Sequence, residues 1–255
     1  MSEQHGSGIQ VIDRAALLLD ALSRYAKPTQ LKVLSADTEL HPSTVHRILQ
    51  SLIYNRFVEK DNNGLYKLGP RLLQLSNRLY SDIDIRAVAM PYMESLRDQL
   101  GETVNLTIRE GDVVIYFEKV TPNRMMHVQQ VIGSRAPLHV TAVGKLMLAM
   151  GGEQEITAYV QRTNVPAYTQ NTLSNYQQLY KDCMLSHERG YGLDNEEAEI
   201  GVGCIGVLIH DRSGQVAAGL SVSAPIERRR KSWIDAIAKA GQGISTALGY
   251  DPGSF

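Results

Sequence analysis

Cysteine is scarce in this chain of 255 residues, and its scarcity limits the chemistry that the chain can perform. Two cysteines, Cys183 and Cys204, are too few for a disulfide framework, so we expect a reducing, cytoplasmic environment. No run of about 18 apolar residues occurs, which excludes a membrane-spanning helix. Residues 1–8 lack the basic and apolar regions of a secretory signal, and the seven histidines lack the paired spacing of a structural metal site. We therefore expect no metal, no cofactor and no membrane partner.

A surplus of charge is also missing, because 26 Lys and Arg residues stand against 27 Asp and Glu residues. The charges are unevenly distributed, since residues 1–75 carry a net charge of +2 and the remainder carries −3. This balance excludes a surface that is positively charged throughout, but it is compatible with a small nucleic-acid-binding domain near the N-terminus.

The spacing of apolar residues predicts three helices in the first 55 residues. The first covers Val11–Leu22, the second covers Gln30–Asp37 with Thr29 as its N-cap, and the third begins near Pro42, where proline is favoured. The third helix has the apolar stripe of an amphipathic helix, made of Val45, Ile48, Leu49, Leu52 and Ile53.

Two short strands follow the third helix, Phe57–Lys60 and Tyr66–Leu68, with a turn at Asp61–Gly64. Three helices and a hairpin predict a winged helix-turn-helix, whose third helix enters the major groove of DNA. Short polar side chains and a long cation at the start of that helix suit base edges and phosphates. The predicted DNA-contacting residues are Ser43, Thr44, His46, Arg47, Gln50 and, in the hairpin turn, Asn63.

From residue 86 onward, strands alternate with helices and hairpin turns, which predicts an α+β domain on a mainly antiparallel sheet. One strand is predicted over Met125–Ile132, and the basic run Arg228–Lys231 is interpreted as a solvated helix entry. The predicted organisation is therefore a DNA-binding domain over residues 1–69, a linker helix over 70–85 and a second domain over 86–255.

One segment of the second domain joins a loop to a helix start at Thr141. The backbone N–H groups of Ala142 and Val143 would point out of that helix start and hold a carboxylate. The segment lacks the full glycine-lysine spacing of a phosphate-binding loop. A simple helix cap by Thr141 explains the segment equally well.

A second segment contains a carboxylate, a thiol and two hydroxyls. Ser221 and Ser223 point to one face of a strand, and Cys204, on a strand paired with it, shares that face with Asp194 nearby. Such a set suits a small polar ligand. The alternative is a pair of solvent-facing serines with a cysteine packed as a small hydrophobe.

Several segments together resemble the IclR-type (isocitrate lyase regulator) family of bacterial transcription factors, and their order and spacing span nearly the whole chain. The segments that carry this resemblance are residues 43–49, 64–69, 101–105, 137–145, 189–191, 194–197, 203–205 and 221–223.

The resemblance implies a winged helix-turn-helix, a linker helix used in dimerisation and a GAF-like effector-binding domain. It also implies homodimers that pair into tetramers on palindromic, double-stranded operator DNA, with small organic or aromatic carboxylic acids as effectors. Small side chains at Val128 and Ala136, where the family often has larger ones, predict an enlarged pocket. The residues that match the family's effector site are Ala142, Val143, Asp194, Cys204, Ser221 and Ser223, with an apolar wall at Val128, Ala136 and Val202.

The prediction is a ligand-responsive transcriptional regulator, with repression as the favoured mode, and not an enzyme. One alternative is a thiol-dependent hydrolase with Cys204 as nucleophile, His139 as base and Asp194 as the group that orients it. The same three side chains would hold an adventitious metal if they met. A further alternative is a DNA-bending or scaffold protein whose second domain binds no ligand.

Overall fold

The computed structural model describes residues 9–25, 27–80 and 84–254, with backbone only at 76–80 and 254. The described residues up to 80 form one compact unit, the N-terminal unit, and residues 84–253 form a second, the C-terminal unit. Within the described residues, no helix is long and apolar enough to cross a membrane, and no group of three His, Cys, Asp or Glu side chains is placed to hold a metal ion.

The N-terminal unit has the predicted sequence of three helices and a hairpin, followed by a fourth helix. Its elements are α1 (Gln10–Ser23), α2 (Leu31–Thr38), α3 (Pro42–Tyr54), β1 (Val58–Lys60), β2 (Tyr66–Leu68) and α4 (Pro70–Tyr80). Pro42 occupies the first turn of α3, as predicted, because its missing N–H would have no partner there. Asp61 Oδ1 accepts the N–H groups of Asn63 and Leu65 and so closes the hairpin turn.

The core of this unit comes from one stripe each of α1, α2 and α3 and one side chain of each strand. Leu18, Leu34 and Leu49 are completely buried at the point where the three helices meet. Val58 of β1 and Tyr66 of β2 extend the same cluster, so the hairpin packs on the helices.

The start of α2 differs from the prediction. Gln30 occupies the N-cap position without a side-chain hydrogen bond. Thr29 instead forms an isolated bridge with Tyr66, in which the N–H of each residue donates to the carbonyl of the other, at 2.9 and 2.8 Å. The prediction of Thr29 as a cap was wrong because a long-range backbone pairing occupies this residue.

The predicted linker helix, residues 70–85, covers α4 and the first residue of the next helix. Residues 81–83, which separate the two helices, lie outside the described residues. The three-part division of the chain stays a prediction.

The C-terminal unit is built on six strands and five helices longer than one turn among its described residues. Its elements are α5 (Ile85–Leu100), β3 (Thr103–Glu110), β4 (Val113–Val120), β5 (Arg135–Pro137), α6 (Ala142–Met150), α7 (Gly152–Thr163), α8 (Tyr176–Arg189), β6 (Gly192–Asn195), β7 (Val202–His210), β8 (Val216–Pro225) and α9 (Ile234–Ala247). The strand order is β5-β4-β3-β8-β7-β6, and every pairing is antiparallel. The predicted α+β class on an antiparallel sheet is confirmed.

Helices cover both faces of this sheet. A Cβ atom added to Gly206 of β7 would lie 2.6 Å from Val143 of α6, whereas one added to Gly241 of α9 would lie 2.6 Å from Val207. Because neighbouring strand residues point to opposite faces, α6 lies on one face of β7 and α9 lies on the other.

The strand predicted over Met125–Ile132 is absent, because this segment has no ladder partner, and β5 begins only at Arg135. Side chains satisfy its carbonyl groups instead: Thr103 Oγ1 donates to Val128 O at 2.6 Å, and Lys119 Nζ donates to Gln130 O. The segment is therefore a loop whose backbone is held by hydrogen bonds from side chains of β3 and β4.

Candidate functional site

The outward face of α3 is the first candidate site. Val45, Ile48, Leu49 and Leu52 are buried in the core, so the polar positions between them face away from it. Of the six predicted DNA-contacting residues, five are exposed and Thr44 is half-buried; the exposed ones are Ser43, His46, Arg47, Gln50 and Asn63. Within the described residues, no carboxylate lies within salt-bridge distance of Arg47. This cation is thus available to a phosphate or a base edge.

His41 is a feature of this surface that the sequence prediction missed. It is the N-cap residue of α3, and its Nδ1 accepts the N–H of Ser43 at 3.4 Å and lies 2.8 Å from Ser43 Oγ. The imidazole thus caps the first turn of α3, where the predicted DNA-contacting side chains begin. The signal in the sequence was its position immediately before Pro42.

The second candidate site lies on the α6 face of the sheet, where strand register places polar side chains side by side. Cys204 of β7 pairs with Ser223 of β8 on one side and with Asp194 of β6 on the other. Ser223 in turn pairs with Thr103 of β3. One step along the strands, Ser221 pairs with Asn105 and with Gly206. Because side chains on one face recur every second residue, these groups form one polar patch.

The first turn of α6 closes over this patch. A Cβ atom at Gly219 would lie 2.7 Å from Val143, so glycine on the sheet is what allows the helix to approach this closely. Thr141 is the N-cap and its Oγ1 accepts the N–H of Gly144 at 3.1 Å. The N–H groups of Ala142 and Val143 have no partner within the helix, as at any helix start. Ala142 and Val143 lie beside the polar patch of the sheet, at the positive end of the helix dipole.

A cavity of about 40 Å³ lies between the helix start and the sheet. It is lined by six of the nine predicted effector-binding residues and by six residues that the sequence prediction missed. The predicted ones are Ala142, Val143, Asp194, Val202, Cys204 and Ser221; the others are Thr107, Tyr116, Gln130, Thr141, Ala198 and Glu199.

Three predicted residues lie elsewhere. Ser223 is one step from the cavity, where its Oγ bonds to Asn105 Nδ2 at 3.0 Å and to Cys204 Sγ at 3.2 Å. Ala136 lies on β5 opposite Val114 and packs in the apolar core, and Val128 contributes its carbonyl to Thr103. The predicted enlargement of the pocket was wrong, because neither small residue lines the cavity.

Asp194 contributes a buried carboxyl group to the wall of this cavity. Its side chain is buried, and loss of hydration raises its pKa, while the Glu197 N–H that it accepts at 2.8 Å acts in the opposite direction. Burial, reinforced by Asp194, also raises the pKa of the Cys204 thiol well above its usual range. Both groups are therefore disposed to act as hydrogen-bonding groups, and the thiol stays protonated near neutral pH.

A buried ion pair fixes the loop that follows Asp194. Lys145 Nζ lies 2.6 Å from each carboxylate oxygen of Glu197 and 2.9 Å from Asp182 Oδ2. Burial opposes the ammonium form, but attraction by Glu197 and Asp182 outweighs it and raises the pKa of Lys145. Because Lys145 follows the helix start by one turn, the pair joins α6 to the cavity wall. The sequence offered no signal for this partnership beyond the presence of the residues.

Arg228 and Arg229 form bonds within the fold, which corrects their interpretation as a solvated helix entry, and Arg229 contacts the strand that carries Asp194. Arg229 donates to Asp194 O at 2.6 Å and to Asn195 Oδ1 at 2.6 Å. Arg228 Nε donates to the buried carboxylate of Glu102 at 2.7 Å. The two guanidinium groups form hydrogen bonds within the fold, and not with solvent alone, because a carboxylate and carbonyl groups face them.

His139 lies apart from the cavity. Its Nε2 donates to Pro166 O at 3.0 Å, so its Nδ1 accepts the hydroxyl of Tyr159 at 2.7 Å. Both ring nitrogens of this buried imidazole are used in the core, and neither meets the Cys204 thiol. His139 is therefore not placed to activate Cys204 as a nucleophile, and it forms no metal site with Cys204 and Asp194.

Larger hollows also occur in the C-terminal unit; four of them measure about 680 Å³ between α5 and α9, about 440 Å³ beside the start of β8, about 420 Å³ beside the end of β7 and about 380 Å³ on α7. Their walls lack a convergent set of buried acid, thiol and hydroxyl groups with a helix start. The smaller cavity has that set, and such groups fix the orientation of a ligand.

A winged helix-turn-helix with an uncovered third helix, joined in one chain to an α+β domain with an enclosed polar cavity, defines the class of helix-turn-helix transcriptional regulators. Comparison with protein families identifies the family. The model of the IclR helix-turn-helix domain matches residues 11–62, and that of the bacterial transcriptional regulator IclR C-terminal domain matches residues 78–247. The chain belongs to the IclR family of bacterial transcriptional regulators, which confirms the resemblance seen in the sequence.

Individual relatives agree with this assignment. The regulator XynR of Escherichia coli K12 is 31% identical over 247 residues, which cover 95% of this chain and 98% of XynR. The repressor AllR of Salmonella typhimurium LT2 is 31% identical, with 96% and 92% covered. The crystal structure of the Agobacterium tumefaciens repressor BlcR superposes with a TM-score of 0.80 at 25% identity, with 95% and 98% covered. The family and these relatives are regulators, so the prediction that the chain is not an enzyme is confirmed.

Proposed function

We propose that this protein is a ligand-responsive repressor that acts on operator DNA in the cytoplasm and senses a small carboxylic acid. The observation that carries the proposal is the meeting, in one cavity, of the α6 start with Asp194, Cys204 and Ser221. The N–H groups of Ala142 and Val143 would bind the carboxylate. The acid, thiol and hydroxyl opposite them would bind a hydroxyl or carbonyl group of the same molecule.

Repression is supported by the names of two relatives, since AllR and BlcR are both described as repressors. We propose that a homodimer reads a palindromic operator, because a two-fold protein matches two half-sites one helical turn apart. Pairing of two dimers into a tetramer on the operator completes the proposal. Ser43, Thr44, His46, Arg47, Gln50 and Asn63 form the proposed DNA-contacting surface.

The effector acts through linkage. A ligand that binds one arrangement of the dimer better than the other shifts operator affinity by its difference in binding free energy. A coupling of about 1–3 kcal/mol changes operator affinity roughly 5- to 150-fold. A response of that size is measurable by gel shift.

The test is a double variant, Asp194→Ala with Ser221→Ala, assayed by gel shift on DNA upstream of its own gene. A panel of organic and aromatic acids is first screened by thermal shift on the wild-type protein. We expect the double variant to bind DNA as the wild type does and to lose its response to the active acid. The matched control is Asp235→Ala with Ser232→Ala, because these exposed residues lie away from the cavity. A normal response in the first variant would place the effector site elsewhere.

A further inference from the structure

The size of the cavity depends on one residue that the family resemblance did not assign. Tyr116 of β4 is 9% exposed, and among the described residues that line the cavity it alone has an aromatic ring. The cavity of about 40 Å³ is far smaller than the roughly 300–1,000 Å³ of pockets for drug-sized ligands. Space of this size suits an acid with few heavy atoms, whereas a cavity that takes benzene measures about 150 Å³.

A bulge in β4 directs this ring into the cavity. Leu106 of β3 pairs with Glu118, but the next residue, Thr107, pairs with Tyr116, so Phe117 is the extra residue. Without the bulge, Phe117 would stand opposite Thr107. Because Thr107 itself lines the cavity, the register shift places Tyr116 on the α6 face of the sheet.

The backbone at Tyr116 is held on its outer side. Its N–H donates to Ser134 O at 3.0 Å, and its carbonyl accepts the N–H of Gly133 at 2.7 Å. These two bonds lie between β4 and the loop before β5, so the position from which the ring projects is fixed.

The opposite wall is held by close packing and by a buried ion pair. Gly206 and Gly219 bring the sheet into direct contact with Val143, and the buried bond from Lys145 to Glu197 joins α6 to the loop after β6. Outward movement of α6 would break this buried ion pair. The Tyr116 ring is therefore the part of the wall whose removal opens the cavity.

We propose that Tyr116 is the specificity-determining residue of the effector site: its ring fills the space that an aromatic acid would need and restricts the effector to acids of a few carbon atoms. This inference rests on the proposed function, since it concerns the same cavity. It also predicts that shortening residue 116 changes the class of acid without changing the groups that bind the carboxylate.

Binding of glycolate and of benzoate, measured by isothermal titration calorimetry, tests the inference. The variants are Tyr116→Val and Tyr116→Leu, which keep an apolar strand residue, and Tyr116→Phe, which keeps the ring and is the matched control. We expect the wild type and Tyr116→Phe to bind glycolate and exclude benzoate. The Val and Leu variants should gain at least ~10-fold in benzoate affinity. Adding Ala142→Pro to Tyr116→Val should remove that gain and so locate the benzoate in the cavity, because proline at the first position of α6 keeps the helix but lacks the N–H group that would bind the carboxylate.

The possible failures are distinguishable. If the wild type binds glycolate through Ser221 but folded Val and Leu variants still exclude benzoate, the inference about Tyr116 is wrong and the proposed effector site stands. Benzoate binding to the wild type as tight as to Tyr116→Val would also overturn the inference. If no variant and no wild-type protein binds either acid, both the inference and the proposed acid sensor are refuted.

Discussion

Removal of the Lys145 charge is the perturbation with the clearest expected magnitude. The Lys145 side chain is 0% exposed and that of Glu197 is 2% exposed, so water screens their attraction very little. Lys145→Met keeps the length of the side chain but leaves the Glu197 carboxylate buried without its cation. Breaking a buried pair in this way costs about 3–5 kcal/mol. For a unit of this size, the melting temperature should fall by roughly 6–20 °C.

The double variant separates the charge interaction from simple packing. In Lys145→Met with Glu197→Gln, no unpaired charge remains at residue 197, and the amide oxygen still accepts the N–H of Asn195. The remaining carboxylate, Asp182, is 23% exposed and keeps some hydration. We therefore expect the double variant to be more stable than Lys145→Met alone, because the two changes are coupled.

Urea unfolding followed by tryptophan fluorescence is the assay. The single tryptophan, Trp233, lies in the C-terminal unit, so its emission reports the unfolding of that unit. The control is Arg135→Met, which breaks a pair with Glu110 in which both side chains are more than half exposed; it should change stability by less than about 1 kcal/mol. A loss below about 1 kcal/mol in Lys145→Met, or strict additivity in the double variant, would refute the reasoning.

Two further predictions concern the DNA-reading surface and the pH dependence of stability. Arg47→Ala should weaken operator binding by about 1–3 kcal/mol if Arg47 contacts a base, or reduce the salt slope by about 1 if it contacts a phosphate. Arg24→Ala, which removes an exposed cation at the end of α1, is its control in gel shifts at several salt concentrations; equal losses in the two variants would contradict the assignment of α3. Burial lowers the pKa of His139 from its ordinary value of 6.5, so the folded state binds fewer protons than the unfolded state, and stability should fall as pH decreases below about 6.5. His139→Gln should reduce this slope in urea unfolding between pH 5 and 6.5, and an unchanged slope would show that another group is responsible.

Much of the N-terminal unit follows from local pattern. The apolar stripe of α3 repeats with helical period, and Leu18, Leu34 and Leu49, all completely buried, lie on predicted helices. The hairpin turn follows from Asn63 and Gly64, which tolerate tight turns. Thr29 was predicted as a helix cap because its local sequence is typical of one. Only the tertiary structure shows that its backbone pairs with Tyr66 instead.

The effector cavity could be predicted only in part. Motif segments identified Asp194, Cys204 and Ser221, which do line one cavity. Tyr116 could not be found in this way, because the bulge at Phe117, which depends on the pairing of β4 with β3, decides which face Tyr116 occupies. The size of the cavity was mispredicted for a similar reason. Ala136 is small, but strand pairing places it in the core beside Val114, where it does not enlarge the cavity.

Sequence by itself determined the periodic features of this protein: which residues form helices, which face of α3 is polar and where glycine and proline end or begin an element. Tertiary structure decided which distant groups meet, such as Lys145 with Glu197 and the α6 start with the patch on β6, β7 and β8. The physical reason is that helix and turn preferences act within a few residues, whereas strand register and buried ion pairs depend on contacts between residues far apart in the chain.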